Sequence, residues 1–217
     1  MSSRRGPPGP PPRLDRERAW WEQGAVVAGV DEVGRGAWAG PVTYAAVVLP
    51  RHRRLRRLRD SKLLAPDERA RQAARVRRHA LGVGLGWAGN DEIDRVGMSR
   101  AMRNAAARAV AALPLRPDVV LLDGGWDFLR DAGTINETLV AGDARSLSIA
   151  AASVVAKEAR DALLARLGPG WPAYGLERNK GYPTPQHRAM LAAFGPCPLH
   201  RRSWAPVARA AEQRLAG

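Results

Sequence analysis

The sequence predicts an α/β fold organised on an open mixed sheet, and three of its features carry that expectation. Apolar, β-branched runs bounded by turn residues recur along the chain, the pattern of strands buried on both faces. Two of those runs, Val26 to Asp31 and Val119 to Asp123, end in an acid with glycines just beyond it. Between the runs lie stretches with helix-start signals and helical periodicity. With 217 residues, of which 45% are hydrophobic, the chain is long enough for one large domain with a proper core.

Residues 1 to about 18 hold Pro7, Pro8, Pro10, Pro11 and Pro12 among arginines and read as a disordered basic tail, so the expected domain spans 21–217 after a tail of 1–20. A first strand is expected over about 25–31. After Ala39-Gly40-Pro41, Val42 to Leu49 supplies an antiparallel neighbour. Arg51 to Arg59 contains six arginines in nine residues, which suits either a phosphate-binding patch or a solvated surface. Pro66 followed by Asp67 and Glu68 starts a helix that runs to about 79, with proline in the first turn and acids at the positive dipole end. Leu81 to Ala88 is a glycine-dotted third strand. Gly84-Leu85-Gly86-Trp87-Ala88-Gly89 formally fits a dinucleotide fingerprint, but it follows a helix and two antiparallel strands instead of opening a βαβ unit. A helix over about 91–112, strands over about 118–123 and 134–141, and a long helix from Ser146 to Leu167 come next. Two shorter helices, about 185–194 and 205–215, close the chain between proline-rich turns, and no internal repeat is visible.

A formal charge of +14 and a pI near 11.4 point to a polyanionic partner, since clustered cations release the counterions condensed on nucleic acid. Only three of the 35 basic residues are lysines (Lys62, Lys157, Lys180), which marks those positions as places where a compact ammonium is wanted. The single cysteine, Cys197, excludes an internal disulfide, and four histidines leave no zinc-type Cys/His cluster. No run of about 20 apolar residues suits a membrane span, and the N-terminus has no signal-peptide core, so the expected location is the cytoplasm.

Against this basic background the acids Asp31, Glu32, Asp123 and Asp143 stand out. The carboxyl ends of strands gather functional groups at one edge of an open sheet, which would bring these four together from remote parts of the chain. Asp31 and Glu32 point to opposite faces of a regular strand, so a shared site requires a bend, which Gly34 and Gly36 permit. Asp143 also reads as a helix N-cap. Crowded carboxylates repel unless protons or metal offset them, and an all-oxygen set suits Mg²⁺ or Mn²⁺. A basic protein with such a pocket fits two-metal phosphodiester cleavage. Gly29 to Gly34 has phosphate-loop spacing but lacks the Lys-Ser/Thr that follows it, and no G-x-S-x-G elbow occurs.

Gly29-Val30-Asp31-Glu32-Val33-Gly34-Arg35-Gly36, with Ala39-Gly40-Pro41-Val42 behind it, resembles the opening motif of bacterial ribonuclease HII, the type 2 ribonuclease H. Asp60-Ser61-Lys62, Glu92-Ile93-Asp94, Leu122-Asp123-Gly124, Gly142-Asp143, Ser148-Ile149-Ala150-Ala151-Ala152-Ser153 with Ala156-Lys157, Asn179-Lys180-Gly181-Tyr182 and His200-Arg201 follow in family order from about residue 25 to 207. The resemblance implies a ribonuclease H-like five-stranded mixed sheet, three antiparallel strands then two parallel, flanked by helices, with a helical C-terminal extension from about 168. It implies metal-dependent cleavage of RNA in RNA-DNA hybrids and on the 5′ side of single ribonucleotides in duplex DNA, leaving 3′-hydroxyl and 5′-phosphate ends. It implies Asp31, Glu32, Asp123 and Asp143 as the catalytic and metal-binding acids, with Mn²⁺ or Mg²⁺. The backbone of Gly34-Arg35-Gly36 and Tyr182 would read the 2′-hydroxyl, and Lys62 would meet a phosphate; a monomer is expected. Lys157 and Lys180 suit phosphate contacts or structural ion pairs, and Asp161 suits a salt bridge or a supporting role near the site. Ala141, Pro183 and Leu63 depart from the family pattern. Two other readings stay open on the sequence: another nuclease or strand transferase on the same fold, and a non-catalytic nucleic-acid-binding module.

Overall fold

The computed structural model describes residues 11–51, 58, 64–130 and 133–215. The elements run α1 (Asp15–Trp21), β1 (Val27–Val33), β2 (Val42–Val48), α2 (Pro66–His79), β3 (Gly82–Ala88), α3 (Asn90–Val96), α4 (Met98–Ala111), β4 (Val119–Asp123), β5 (Ile135–Leu139), a 3₁₀ turn at Gly142–Ala144, α5 (Leu147–Leu167), α6 (Leu176–Asn179), α7 (Pro185–Phe194) and α8 (Ala205–Leu215). The sheet has the order β3-β2-β1-β4-β5. β1, β2 and β3 pair antiparallel, while β4 lies parallel to β1 and β5 parallel to β4, as the resemblance implied.

Alternation along the central strands builds two cores. Val27, Val119 and Leu121 face α5 together with Ala45, Val47, Ile149, Ala152 and Val155. Ala28, Val30, Val120 and Leu122 face the other way, toward Tyr44 and the small residues Ala101, Ala105, Ala106 and Ala109 of α4. Helices reach the sheet where side chains vanish. A Cβ on Gly29 would lie 2.2 Å from the carbonyl carbon of Ser148, so the first turn of α5 rests directly on β1. Gly84 and Gly86 admit α4 in the same way, since a Cβ there would strike the carbonyls of Ala109 and Ala105. Gly84 and Gly86 of the would-be dinucleotide fingerprint therefore serve helix packing.

Several expectations need correction. The tail was expected to reach 18 or 20, yet Asp15–Trp21 form α1, whose Glu17 and Trp21 are buried with Leu14 before it. The helix expected over 91–112 is two helices broken at Gly97, whose φ of 79° serves as the C-cap of one and the N-cap of the next. β1 continues as strand through Asp31, Glu32 and Val33, so no bend separates the paired acids. The N-cap of α5 is Ser146, which accepts from the backbone N–H of Ile149, and not Asp143. Among the described residues no helix is long and apolar enough to cross a membrane.

Candidate active site

Adjacent parallel strands set the first two acids. β1 and β4 are in register from Val27↔Val119 to Val30↔Leu122, so one residue further Asp31 and Asp123 lie side by side on the face covered by α5. Asp31 Oδ1 accepts from the Glu32 backbone N–H at 2.7 Å. Asp123 Oδ1 accepts from the backbone N–H of Gly142, also at 2.7 Å, which ties the 3₁₀ turn carrying Asp143 to the end of β4. Glu32 sits on the opposite face, where its register partner is Tyr44. The charges of the other three acids nevertheless all reach Asp31. Burial, then the charges of Asp123 and Glu32, push the Asp31 carboxyl well above the usual carboxylate range; a hydrogen bond from Ser153 of α5 lowers it, and the charge of Asp143 raises it further.

Tyr44 shares this electrostatic environment. Its hydroxyl is buried without a hydrogen-bond partner, and burial followed by the charges of Glu32 and Asp31 keeps the proton on it. The donors are all hard oxygen, the chemistry that Mg²⁺ or Mn²⁺ takes, and a buried Asp31 carboxyl pressed by neighbouring carboxylates is what a divalent cation would relieve. Yet among the described residues no group of three or more acidic, histidine or cysteine side chains is arranged to hold an ion unaided. The acids fit the cation by chemistry and do not form a closed cage.

Beside the acids runs the loop Gly34-Arg35-Gly36. Gly34 has φ of 89°, and a Cβ on it would meet Arg160 Nε at 2.2 Å. Its glycine is demanded by the protein's own packing, whereas the expectation assigned it to sugar approach. Gly36 is different: it is exposed, and nothing lies within 4 Å of where its Cβ would be, so that side of the loop is open. Two buried arginines hold this loop from beneath. Arg201 donates to the carbonyls of Gly34 (2.7 Å), Arg35 (2.9 Å) and Gly40 (3.0 Å). Arg160 of α5 donates to Pro41 (2.8 Å), Ala39 (3.1 Å) and Lys180 (2.9 Å). Burial and the charge of Arg160 push Arg201 down to about 9, still protonated at neutral pH.

Tyr182 follows, half-buried, with its ring 5.6 Å from the Arg160 guanidinium and 6.0 Å from Lys157 Nζ. Its loop is stitched to the glycine loop, because Gly181 O accepts from the backbone N–H groups of Trp38 and Ala39. Lys157 pairs with Asp161 at 2.6 Å, Arg69 joins the same carboxylate at 3.0 Å, and Lys180 Nζ donates to the carbonyls of Glu177 and Asp161. Asp161 and two of the three lysines are thus internal fastenings. Lys62 and most of the arginine run 51–59 lie outside the described residues. The site residues that sequence reasoning passed over are Ser153, Tyr44, Arg160 and Arg201. Ser153 and Arg201 stood inside motifs already singled out, whereas nothing in the sequence separates Arg160 from the other basic residues.

Comparison with known proteins adds to this geometry. The family described as Ribonuclease HII matches residues 28–207. The Ribonuclease HII of Streptomyces avermitilis is 48% identical over 180 residues, covering 83% of this chain and 77% of that protein. That of Thermus thermophilus is 44% identical over 194 residues, covering 89% and 93%. Among solved structures, ribonuclease H2 from Pyrococcus horikoshii superposes with a TM-score of 0.78 at 25% identity, covering 88% of this chain and 99% of its own.

Proposed function

The chain belongs to the ribonuclease HII family and is a metal-dependent ribonuclease H hydrolase, and from that premise we propose that it cleaves the RNA strand of RNA-DNA hybrids and nicks duplex DNA on the 5′ side of a single embedded ribonucleotide. The observation that carries this reading is that Asp31 and Asp123 lie side by side at the carboxyl edge of the sheet, where the charges of Glu32 and Asp143 also reach Asp31. In the proposal these four hold one or two divalent cations, Mn²⁺ or Mg²⁺, which supply activation of the attacking water and offset charge on the leaving 3′-oxygen. Asp123 Oδ1 accepts from Gly142 N–H and Asp31 Oδ1 from Glu32 N–H, which fixes both carboxylates at the strand ends.

Discrimination falls to the neighbouring loops. The Gly34 and Arg35 carbonyls are engaged by Arg201, which leaves the outer side of that backbone, with Gly36 clear of any contact, for the 2′-hydroxyl, a group that donates and accepts. Tyr182 stacks on the sugar at the junction, its ring steadied by Arg160 and Lys157. The excess of positive charge grips the phosphate backbone. Products carry 3′-hydroxyl and 5′-phosphate ends, and the biological place of such a nick is removal of ribonucleotides and RNA primers from DNA. The test uses two duplexes that differ by one 2′-hydroxyl: with Mn²⁺ or Mg²⁺ the ribonucleotide-containing duplex is cut at that residue and the all-DNA duplex stays intact. Equal cutting of both removes the ribose-reading assignment.

A further inference from the structure

Behind Tyr182 lies a buried chain of polar groups that none of the chemistry above uses. His187 of α7 and His200 are both fully buried, with their Nε2 atoms 2.9 Å apart. His187 Nδ1 is 2.9 Å from the Tyr182 carbonyl oxygen, and His200 Nδ1 meets the Cys197 backbone N–H at 3.0 Å and its Sγ at 3.2 Å.

Only one proton arrangement satisfies every atom. A carbonyl accepts, so His187 Nδ1 carries the hydrogen and its Nε2 is bare. His200 Nε2 must then donate to it, which leaves His200 Nδ1 bare to accept from Cys197 N–H. Both rings are neutral, and burial favours that state for each. The edge-on ring of Tyr174, 4.9 Å from His200, closes the cluster.

This chain ends on both walls of the proposed ribose pocket. At one end it grips the Tyr182 carbonyl. At the other, His200 is bonded in sequence to Arg201, the residue that holds the Gly34, Arg35 and Gly40 carbonyls. His200 also bridges Ala39 in antiparallel fashion, and the Arg201 N–H donates to Trp38 O. Two loops distant in sequence, 34–41 and 179–184, are thereby referred to a single short segment.

We propose that the Cys197-His200-His187 chain is a positioning device for ribose discrimination: it fixes the distance of Tyr182 from the Gly34-Arg35-Gly36 loop, with His187 and His200 as positioning residues. The proposal rests on the reading of Tyr182 as the sugar-stacking group. Proximity to the reacting atoms is not required for a large effect, since a displacement of about 1 Å in a positioning group can cost roughly a hundredfold in rate.

The test compares His187→Asn, whose amide nitrogen falls where Nδ1 lies and still donates to Tyr182 O, with His187→Gln, whose amide falls nearer Nε2 and does not. On the one-ribonucleotide duplex, kcat for the Asn variant stays within about threefold of the parent while the Gln variant drops about tenfold, with KM unchanged within about twofold. With Tyr182→Ala in the background, the two variants become equal within about twofold, because the difference acts through that ring. His200→Asn, whose shorter side chain leaves His187 Nε2 without its donor, is read in the same two backgrounds and carries the test if His187→Gln does not fold. Equal losses for Asn and Gln, or a gap that persists without the Tyr182 ring, overturn the proposal. The parent on the all-DNA duplex keeps the two levels apart: if the parent cuts it as readily, the ribose-reading function itself fails, whatever the ranking of the histidine variants.

Discussion

Asp31 is the residue at which stability and function oppose each other. Its carboxyl is held well above its ordinary range by burial and by Asp123 and Glu32, so the folded state disfavours the ionised form. That penalty is present above the raised value and absent below the unfolded one. Asp31→Asn should therefore abolish cleavage and yet raise Tm at pH 7.5 by roughly 2–4 °C, the range about 1 kcal/mol produces in a domain of this size, with the gain vanishing at acid pH. An unchanged or lower Tm at pH 7.5 would mean that neighbouring charges do not reach Asp31. His200 carries the opposite sign. Burial first, then the charge of His187, lower it to about 4, so its contribution to stability is complete above about 6.5 and is lost as pH falls from there toward 4. Thermal unfolding followed from pH 7 to pH 4.5 should show a steeper loss for the parent than for His200→Gln; parallel curves would contradict the buried neutral pair. The juxtaposition of Asp31 and Asp123 was legible in the sequence, because a carboxylate at the end of an apolar strand is costly and rare in so basic a chain. For the cations the sequence told only part: Lys157 forms the ion pair that was one of its two readings, whereas the fully buried cations among the described residues are Arg160 and Arg201, and an arginine that donates only to carbonyls leaves no acidic partner in the sequence to betray it.

The elements owe their placement to a few close approaches. α5 lies on β1 at Gly29, and its first turn is fastened by Glu17 of α1, which accepts from Ser146 Oγ, Ser148 N–H and Ser148 Oγ. A methyl group tells a packing glycine from a working one. Gly29→Ala should cost roughly 3 kcal/mol or more, because the backbone of Ser148 cannot yield. Gly36→Ala should leave stability within about 0.5 kcal/mol, since open space receives the methyl, but should slow cleavage of the ribonucleotide duplex. Denaturant unfolding and nicking assays on both variants decide it, and a destabilised Gly36→Ala would show that the loop is packed and not clear. Strands and long helices were legible for the reason that periodicity is legible: Pro66–His79, Pro185–Phe194 and Ala205–Leu215 appear where patterning put them. α1 was hidden because its run of charged residues follows a proline-rich stretch, and few residues there, Leu14, Glu17, Trp20 and Trp21, turn inward. The break at Gly97 was hidden because helical periodicity continues across it while one residue at positive φ redirects the axis.

At the scale of the whole molecule, one mixed sheet separates two cores and brings acids from β1, β4 and the turn after β5 to one edge, while α6, α7 and α8 buttress the glycine and Tyr182 loops from the side. Sequence order placed the strands and paired the first with the second, whereas the central position of β1 between β2 and β4 is seen only in the structure. The formal charge of +14 belongs to this scale as well. Affinity for a hybrid duplex should fall at least roughly tenfold between 50 and 200 mM salt, as counterion release requires, and a flat response would mean that the cations take no part in holding the backbone. The claim on which the rest depends is that the four acids act together as the cleaving centre, and the most direct measurement is single-turnover nicking of the one-ribonucleotide duplex by Asp123→Asn in Mn²⁺ and in Mg²⁺, with binding followed in parallel. Binding within about threefold of the parent and cleavage reduced by at least about a thousandfold in both ions is the result this account requires. Cleavage near the parental rate in either ion would contradict it.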